Sequence, residues 1–417
     1  MKHTPLRYLA RIQNSNVDKV IEDGETPVRL CNYVHVFRND KITADMAFDQ
    51  GSATKMERKV FALNPGDVII TKDSEDPREI GVPALVVSSA EDIVCGYHLT
   101  ILRPNEGVHG PYLYYGLCSK IAQEQFMLSA RGITRFGLNQ DGIGGCAIPL
   151  PSMEEQLAIA RMLDDGTRHI DDLINEKSDF ISLLREKRVA EISHAVTKGI
   201  NPDAPMKPSG ADWLGDVPAH WDAVRLGVIF KEADRRGDPS HPVLSVSIHD
   251  GVSDGEVADE DRLRKVALSE DRSVYQGVMP GDLVYNMMRA WQGGFGAVAT
   301  EGLVSPAYVV ARPLSDARTK FIELQLRTPQ AVEEMRRYSK GIADFRMRLY
   351  WEHFRNVRVA LPSPEEQDAI LANIERETTR IDGLIHETEH SIALLKEKRA
   401  ALITAAVTGK IDVRNAA

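Results

Sequence analysis

The stretch Leu150-Pro151-Ser152-Met153-Glu154-Glu155-Gln156 occurs twice in this 417-residue chain, the second time as Leu361-Pro362-Ser363-Pro364-Glu365-Glu366-Gln367. The likeness continues to Ile200 and Ile411 at a constant offset of 211 residues without a gap, and 26 of 51 positions are identical. An internal repeat governs the interpretation of the whole fold, because it identifies segments that were duplicated together. The sequence therefore predicts two equivalent halves.

Each copy of the repeat has the pattern of one long helix. Ser152 and Ser363 are expected N-caps, and a glutamate follows each of them three residues later, as in a capping box. Pro364 falls in the first helical turn, where proline is tolerated. Apolar residues then recur at mixed three- and four-residue spacing between charged flanks, which is typical of a coiled coil. We therefore predict two long coiled-coil helices that lie antiparallel to each other.

The segments that precede the two helices have diverged but share a weaker pattern. Pro65-Gly66-Asp67 and Pro280-Gly281-Asp282 each introduce an apolar strand. Helical structure is expected over 112–128 and 321–338, and a strand over 303–312 ends in Arg-Pro, as the strand before Pro104 does. We predict an α+β fold with a pseudo-two-fold internal repeat. Its domains are 1–147 and 211–358, its long helices lie within 148–200 and 359–412, and a Pro-rich linker spans 201–210.

Composition limits the class of protein. Hydrophobic residues make up 43% of the chain and charged residues 27%, as in an ordinary globular protein. There is no apolar run of about 18 residues that would span a membrane, and the first residues lead into no apolar signal segment. The four cysteines have the spacing of neither a disulfide framework nor a zinc site. We expect a cytoplasmic protein with reduced thiols.

The net charge of −10 argues against a nucleic-acid partner and favours a coiled-coil scaffold that joins two protein-binding domains. Corresponding loops of the two halves nevertheless carry basic and amide side chains, which are the groups that read base edges. The candidates are Lys72, Arg78, Arg131, Thr134, Arg135 and Asn139 in the first half, and Asn286, Arg289, Trp291, Gln292, Lys340, Arg346 and Arg348 in the second. Taken singly, each is more often a surface side chain than a base reader. Trp291 either belongs to the core or stacks on an exposed base.

One short motif of an enzyme occurs in the second predicted helix. His386-Glu387-Thr388-Glu389-His390 matches the zinc-protease pattern His-Glu-x-x-His, but its counterpart Asn175-Glu176-Lys177-Ser178-Asp179 lacks both histidines. We interpret it as a solvated face of the coiled coil and predict no metal site. The chain contains neither a phosphate-binding Gly-x-x-x-x-Gly-Lys-(Ser/Thr) loop nor an Asn/Asp-Pro-Pro-aromatic segment. We therefore expect neither ATPase nor methyltransferase chemistry here, and an enzyme with its site in one half is the remotest alternative.

The sequence resembles the DNA specificity subunit of a type I restriction-modification system, over essentially the whole chain. The resemblance rests on both Leu-Pro-Ser-x-Glu-Glu-Gln boxes, on the Leu-Leu-(Arg/Lys)-Glu-Lys-Arg segments at 183–188 and 394–399, and on the Ala-Val-Thr that closes each helix. The segment from Trp213 to Trp221 resembles the family's entry into a target-recognition domain. This entry segment occurs once, so the first half departs from exact symmetry.

The resemblance implies that each divergent half is a target-recognition domain for one half of a split DNA site. The long helices would fix the spacing, and half-sites on one face of a duplex lie roughly 34–36 Å apart. It also implies a non-catalytic chain without a cofactor. Methyltransferase subunits, two in number, and a restriction-translocase subunit would carry S-adenosylmethionine, ATP and Mg²⁺. Either partner docking or plain solvation accounts for the repeated helix charges Glu154, Glu155, Arg185, Lys187, Glu365, Glu366, Lys396 and Lys398.

Overall fold

The computed structural model describes residues 2–248, 251–255, 272–341 and 347–411. The chain divides into two compact units, and each unit takes a part of both long helices. Unit 1 comprises Met1–Ser178 and Thr388–Ala417, and unit 2 comprises Asp179–Glu387. Among the described residues, no helix combines the length and the apolar character that crossing a membrane requires.

Unit 1 contains a five-stranded and a three-stranded sheet. Its strands are β1 (His3–Pro5), β2 (Ala10–Asn14), β3 (Thr26–Cys31), β4 (Lys41–Ile42), β5 (Asp49–Ala53), β6 (Val68–Thr71), β7 (Asp73–Ser74), β8 (Pro83–Val86), β9 (Ile93–Cys95), β10 (Leu99–Pro104), β11 (Phe136–Gly137) and β12 (Ala147–Pro149). Its helices are α1 (Leu6–Leu9), α2 (Tyr33–Arg38), α3 (Lys55–Phe61), α4 (Gly110–Cys118), α5 (Lys120–Ser129), α6 (Gln140–Gly145) and the first part of α7 (Met153–Lys198). The larger sheet has the order β2-β10-β6-β8-β4 and the smaller one β5-β3-β9, with β1 paired to β12 and β7 to β11.

Unit 2 is built on a four-stranded sheet. Its strands are β13 (Met206–Pro208), β14 (Asp216–Pro218), β15 (Asp222–Arg225), β16 (Phe230–Ala233), β17 (Val246–Ser247), β18 (Gly251–Val252), β19 (Gln276–Val278), β20 (Leu283–Asn286), β21 (Phe295–Ala297), β22 (Gly302–Val304), β23 (Tyr308–Pro313) and β24 (Arg358–Leu361). Its helices are α8 (Leu226–Ile229), α9 (Thr319–Leu326), α10 (Pro329–Tyr338), α11 (Trp351–Phe354) and the first part of α12 (Pro364–Val407). The sheet has the order β16-β23-β20-β21, and four two-stranded pairs complete the unit.

The two long helices pack antiparallel within each unit. In unit 1, Ile159 and Leu163 near the start of α7 share a buried cluster with Ile403 and Ala406 near the end of α12. Further along α7, Asp171 bonds to Arg399, which precedes Ile403 in α12. In unit 2 the end of α7 and the start of α12 likewise join one core. The predicted α+β fold with two long antiparallel helices is confirmed in each unit, while the predicted domain limits stay a prediction.

The Pro-Gly-Asp turns and the Arg-Pro strand ends of the two halves meet in the structure as buried ion pairs. The carboxylate of Asp67 is 2% exposed and lies 2.7 Å from the guanidinium of Arg103. In unit 2, Asp282 is equally buried and lies 3.0 Å from Arg312. These carboxylates also accept a backbone N–H within their own turns. The repeated sequence pattern therefore encodes a repeated contact between two sheet strands.

Three predicted elements were wrong in detail, and local capping explains two of them. The predicted helix over 112–128 is broken at Ser119, whose hydroxyl caps α5 by accepting from the N–H of Ala122. The predicted helix over 321–338 is broken in the same way at Thr328, which caps α10 before Pro329. The predicted strand over 303–312 is two strands, because Ser305 turns the chain between β22 and β23. A cap residue inside an apolar pattern therefore outweighs the pattern.

Candidate nucleic-acid interface

In unit 1 a short hairpin stands between α5 and α6 and carries several of the predicted DNA-binding residues. The backbone groups of Arg131 and Gly137 bond to each other in both directions, at 3.0 and 2.8 Å, and close a loop that contains Thr134 and Arg135. The N–H of Leu138 then donates to the carbonyl of Lys72, at 2.8 Å. The structure therefore brings together two predicted groups that are about 60 residues apart in the sequence.

The predicted residues of this hairpin differ in what they contact. Thr134 is exposed at the tip, next to Ile133, which is 93% exposed. The ammonium of Lys72 lies 3.2 Å from the carbonyl of Ser15, so this lysine also contacts the residue that follows β2. Asn139 accepts from the N–H of Gly142 at 2.7 Å and caps α6. A structural role thus accounts for Asn139, and the tip offers the more accessible side chains.

Arg135 and Arg78 are both paired with aspartate, in different settings. Arg135 lies 2.6 Å from the carboxylate of Asp73, which is 18% exposed, and this hydrogen bond raises the pKa of the guanidinium. Arg78 lies 2.6 Å from Asp76, which is two residues away in the same turn. The pair of Arg78 is therefore local, whereas that of Arg135 joins the hairpin to β7.

Unit 2 repeats the hairpin at its base. Lys340 and Arg348 bond to each other through both backbone groups, each at 2.9 Å, and the N–H of Leu349 donates to the carbonyl of Met287, also at 2.9 Å. Leu349 is the repeat counterpart of Leu138, and Met287 follows the Pro-Gly-Asp strand as Lys72 does. Lys340 and Arg348 are exposed. Arg346 lies outside the described residues.

The loop after β20 presents the remaining predicted residues of unit 2. Its path is fixed by the side-chain oxygen of Asn286, which accepts from the N–H of Met288 at 2.9 Å, and by the indole N–H of Trp291, which donates to the carbonyl of Met288 at 3.0 Å. Trp291 is only half-buried, and the guanidinium of Arg336 lies over its ring at 5.7 Å. Arg289 contacts Gln292 at 3.4 Å. Trp291 is thus a surface ring held by polar contacts, not a core residue.

The residues predicted to dock partners lie on the long helices and differ in exposure and in contacts. Glu154, Glu365, Arg185, Lys187, Lys396 and Lys398 are exposed. Glu155 forms the capping box with Ser152, as predicted. Glu366 instead accepts from the indole of Trp221 at 3.0 Å and contacts His220 at 2.9 Å. The entry segment of the second half is therefore fastened to α12 through Glu366. The histidines of the protease-like motif, His386 and His390, are exposed, and no group of metal-ligand side chains occurs among the described residues.

The glutamine of each repeated box has a role that the sequence did not reveal. Gln156 is 1% exposed and accepts from the N–H of His109 at 2.8 Å, while its amide donates to Pro151. Gln367 is equally buried, accepts from the N–H of Arg318 at 2.7 Å and donates to Pro362. Each glutamine therefore joins the start of a long helix to the residue before a shorter helix of the same unit. That shorter helix is α4 in unit 1 and α9 in unit 2. The only signal in the sequence was the glutamine itself, which is repeated in both boxes between a proline and an amphipathic helix.

The chain is similar in sequence to known proteins. Residues 34–182 match the family model described as type I restriction modification DNA specificity domain. The chain is similar to the MjaX specificity subunit of a type I restriction enzyme of Methanocaldococcus jannaschii, with 28% identity over 40% of this chain and 38% of that protein. It is also similar to the EcoKI specificity subunit of Escherichia coli, with 21% identity over 94% of this chain and 84% of that protein. Residues 34–182 thus match the DNA specificity domain of type I systems, and the chain is similar to type I specificity subunits over most of its length.

A solved structure shares the fold of this chain. That chain comes from work on complex assembly and conformational transition of the type I R-M system. It matches with a TM-score of 0.65 over 97% of both chains, at 15% identity. At this identity the match concerns the fold alone. The segment that matches the family model, residues 34–182, includes the hairpin of unit 1.

Proposed function

We propose that this chain reads a bipartite DNA target, one half with each unit, and directs methyltransferase and restriction subunits to that target. The proposal is carried by the hairpin and strand junction that occurs in both units. The hydrogen bond from Leu138 to Lys72 in unit 1 has its equivalent between Leu349 and Met287 in unit 2. The scaffold is thus the same while the side chains differ, as expected of two domains that read different base sequences.

The long helices offer one equivalent exposed apolar position in each unit, and this supports docking of two copies of one partner. Leu183 of α7 is 62% exposed, and its repeat counterpart Leu394 of α12 is 51% exposed. Basic side chains follow both leucines within four residues, at Lys187 and Lys398. Exposed apolar side chains rimmed by charges are typical of protein interfaces. We assign these positions to two methyltransferase subunits.

The chemistry of the complex belongs to the partners in this proposal. Methyl transfer from S-adenosylmethionine, and ATP-dependent translocation with Mg²⁺, would take place on the methyltransferase and restriction subunits. This chain would contribute sequence selection alone. The net charge of −10 is compatible with such a division, because partner subunits can supply basic surface along the DNA.

The test is to express the chain together with a type I adenine methyltransferase in a host without DNA methylation and to map modified adenines across the genome. We expect one split motif with two short defined halves and a constant gap. Binding of the purified complex to that motif should weaken steeply with salt, as expected when phosphates are neutralised. A complex that assembles but methylates no motif would contradict the proposal and favour a scaffold that joins proteins.

A further inference from the structure

A carboxylate stands at the base of the unit 1 hairpin, close to an exposed arginine. Asp73, the first residue of β7, pairs in register with Gly137 of β11. One carboxylate oxygen lies 2.6 Å from Nη2 of Arg135, and the other lies 2.8 Å from Nδ1 of His98. The ring of Tyr97 covers His98 at a centroid distance of 3.7 Å. Asp73 is thus held from two sides and is only 18% exposed.

Arg135 is fixed at one nitrogen and open at the rest of its guanidinium. Its side chain is 57% exposed, and its hydrogen bond to Asp73 uses Nη2. The same nitrogen lies 3.2 Å from Nδ1 of His98, an atom that itself donates to Asp73. A guanidinium has five N–H donors in a rigid plane, and Asp73 takes only one of the two on Nη2. The second N–H of Nη2 and one N–H of Nη1 therefore remain on a shared edge of the plane. Two donors on one planar edge match O6 and N7 of guanine, the commonest specific contact of arginine in the major groove. An arginine held in one orientation loses less conformational entropy when it binds.

We propose that Asp73 is a positioning residue that orients Arg135 to read a guanine in the half-site of unit 1. This inference rests on the proposed function of the chain and adds the base and the residue that set part of its specificity. Asp73 itself disfavours binding to the DNA backbone, since its charge repels phosphates. Its presence beside an exposed arginine is explained when orientation matters more than raw affinity.

Among the described residues, Asp73 and His98 have no counterpart in unit 2 with a carboxylate or an imidazole, which agrees with two units that read different bases; Arg346, at the position equivalent to Arg135, lies outside those residues. Because Leu349 bonds to Met287 as Leu138 bonds to Lys72, Met288 takes the position of Asp73 in unit 2. Ala307, which precedes β23, takes the position of His98, which precedes β10. Neither residue can hold a guanidinium. The two half-sites should therefore differ in whether a guanine is read in this manner.

The experiment uses the assembled complex with its methyltransferase and a set of duplexes in which each base pair of the mapped motif is replaced in turn. For Asp73→Asn we expect discrimination at one G·C pair to fall about tenfold or more, while affinity for unrelated DNA rises because a negative charge is gone. Arg135→Lys keeps the charge but not the planar fork, and it should relax the same pair. Asp92→Asn is the matched control, because Asp92 pairs with Arg29 at 2.7 Å on β3 and not at the hairpin.

The deciding result is that Asp73→Asn and Arg135→Lys lose discrimination at the same base pair. A merely structural effect of Asp73→Asn would instead lower affinity at every pair. Arg135 is exposed, so its lysine variant tests the position even where Asp73→Asn weakens folding. The inference is overturned if the variants relax different pairs, if either relaxes none, or if the shared pair is not G·C. A wild-type complex without any preferred sequence would overturn the proposed function itself, and this result is visible before any variant is made.

Discussion

Among single residues, Asp282 offers a direct measure of what the repeated buried ion pairs contribute. Its carboxylate is 2% exposed and holds Arg312 through two hydrogen bonds. Asp282→Ala leaves that arginine without its partner, and we expect unit 2 to lose about 3 kcal/mol of stability. Tryptophan fluorescence during urea unfolding measures this loss, because all four tryptophans lie in unit 2.

The matched control for this prediction is Asp368, which also forms a two-bond pair with arginine in unit 2. Its partner is Arg318, at 2.6 Å, but the carboxylate is 53% exposed, and such surface pairs contribute little. Asp368→Ala should leave the urea midpoint nearly unchanged. Equal effects of the two substitutions would show that burial is not what makes the Asp282 pair important.

His109 makes unit 1 sensitive to mild acid at the junction that Gln156 fastens. Burial lowers the pKa of His109, and its Nδ1 is enclosed without a hydrogen-bond partner among the described residues. Above the unfolded value of about 6.5 both states are neutral, and no stability depends on the proton. Below that value the unfolded chain takes up the proton first, so stability falls with pH until the lowered folded pKa is reached.

We therefore expect amide exchange in α4, corrected for its intrinsic rate, to accelerate between about pH 7 and pH 5. His109→Gln should flatten this dependence, because glutamine carries no titrating group. Helix α9 of unit 2 serves as an internal control, since Arg318 replaces the histidine there. A slope in α4 that persists in the His109→Gln variant would assign the effect to another group.

Between the long helices, the repeat supplies its own pair of matched substitutions. In unit 1, Arg399 of α12 bonds to Asp171 of α7 at 2.8 Å and to Asp40, and it is 19% exposed. In unit 2, its repeat counterpart Arg188 of α7 bonds to Asp382 of α12 at 3.0 Å and is 40% exposed. The same contact therefore occurs twice with the helices in exchanged roles.

We expect Arg399→Ala to cost about 1–2 kcal/mol, because the arginine itself is largely buried while its partners Asp40 and Asp171 are about half exposed. Arg188→Ala should cost less than about 1 kcal/mol, as is usual for an exposed pair. Hydrogen exchange along α7 and α12 measures both effects and assigns each to its unit. Equal costs would mean that neither burial nor the second carboxylate, Asp40, strengthens the contact of Arg399.

The helices and the candidate interface were only partly predictable from the sequence. The repeat was enough to predict both long helices, because identical caps and apolar spacing act locally. The duplication indicated their antiparallel packing. It could not reveal that Ser119 and Thr328 end one helix and begin another, since the apolar pattern continues across both. At the candidate interface, basic side chains such as Arg135 were predicted from their residue type and from their place in corresponding loops of the two halves. Asp73 and His98 were not, because an acidic partner appears only once distant strands pair.

For the whole molecule, the contrast between similar helices and diverged domains is open to an exchange experiment. Residues 1–147 are replaced by the corresponding segment of another type I specificity subunit, and methylated adenines are mapped in the co-expressing host. Because α7 and α12 are left intact, we expect one half of the motif to change while the other half and the gap stay the same. Exchange of residues 211–358 should change the opposite half. Changes in both halves, or in the gap, after either exchange would mean that the two units do not read DNA independently.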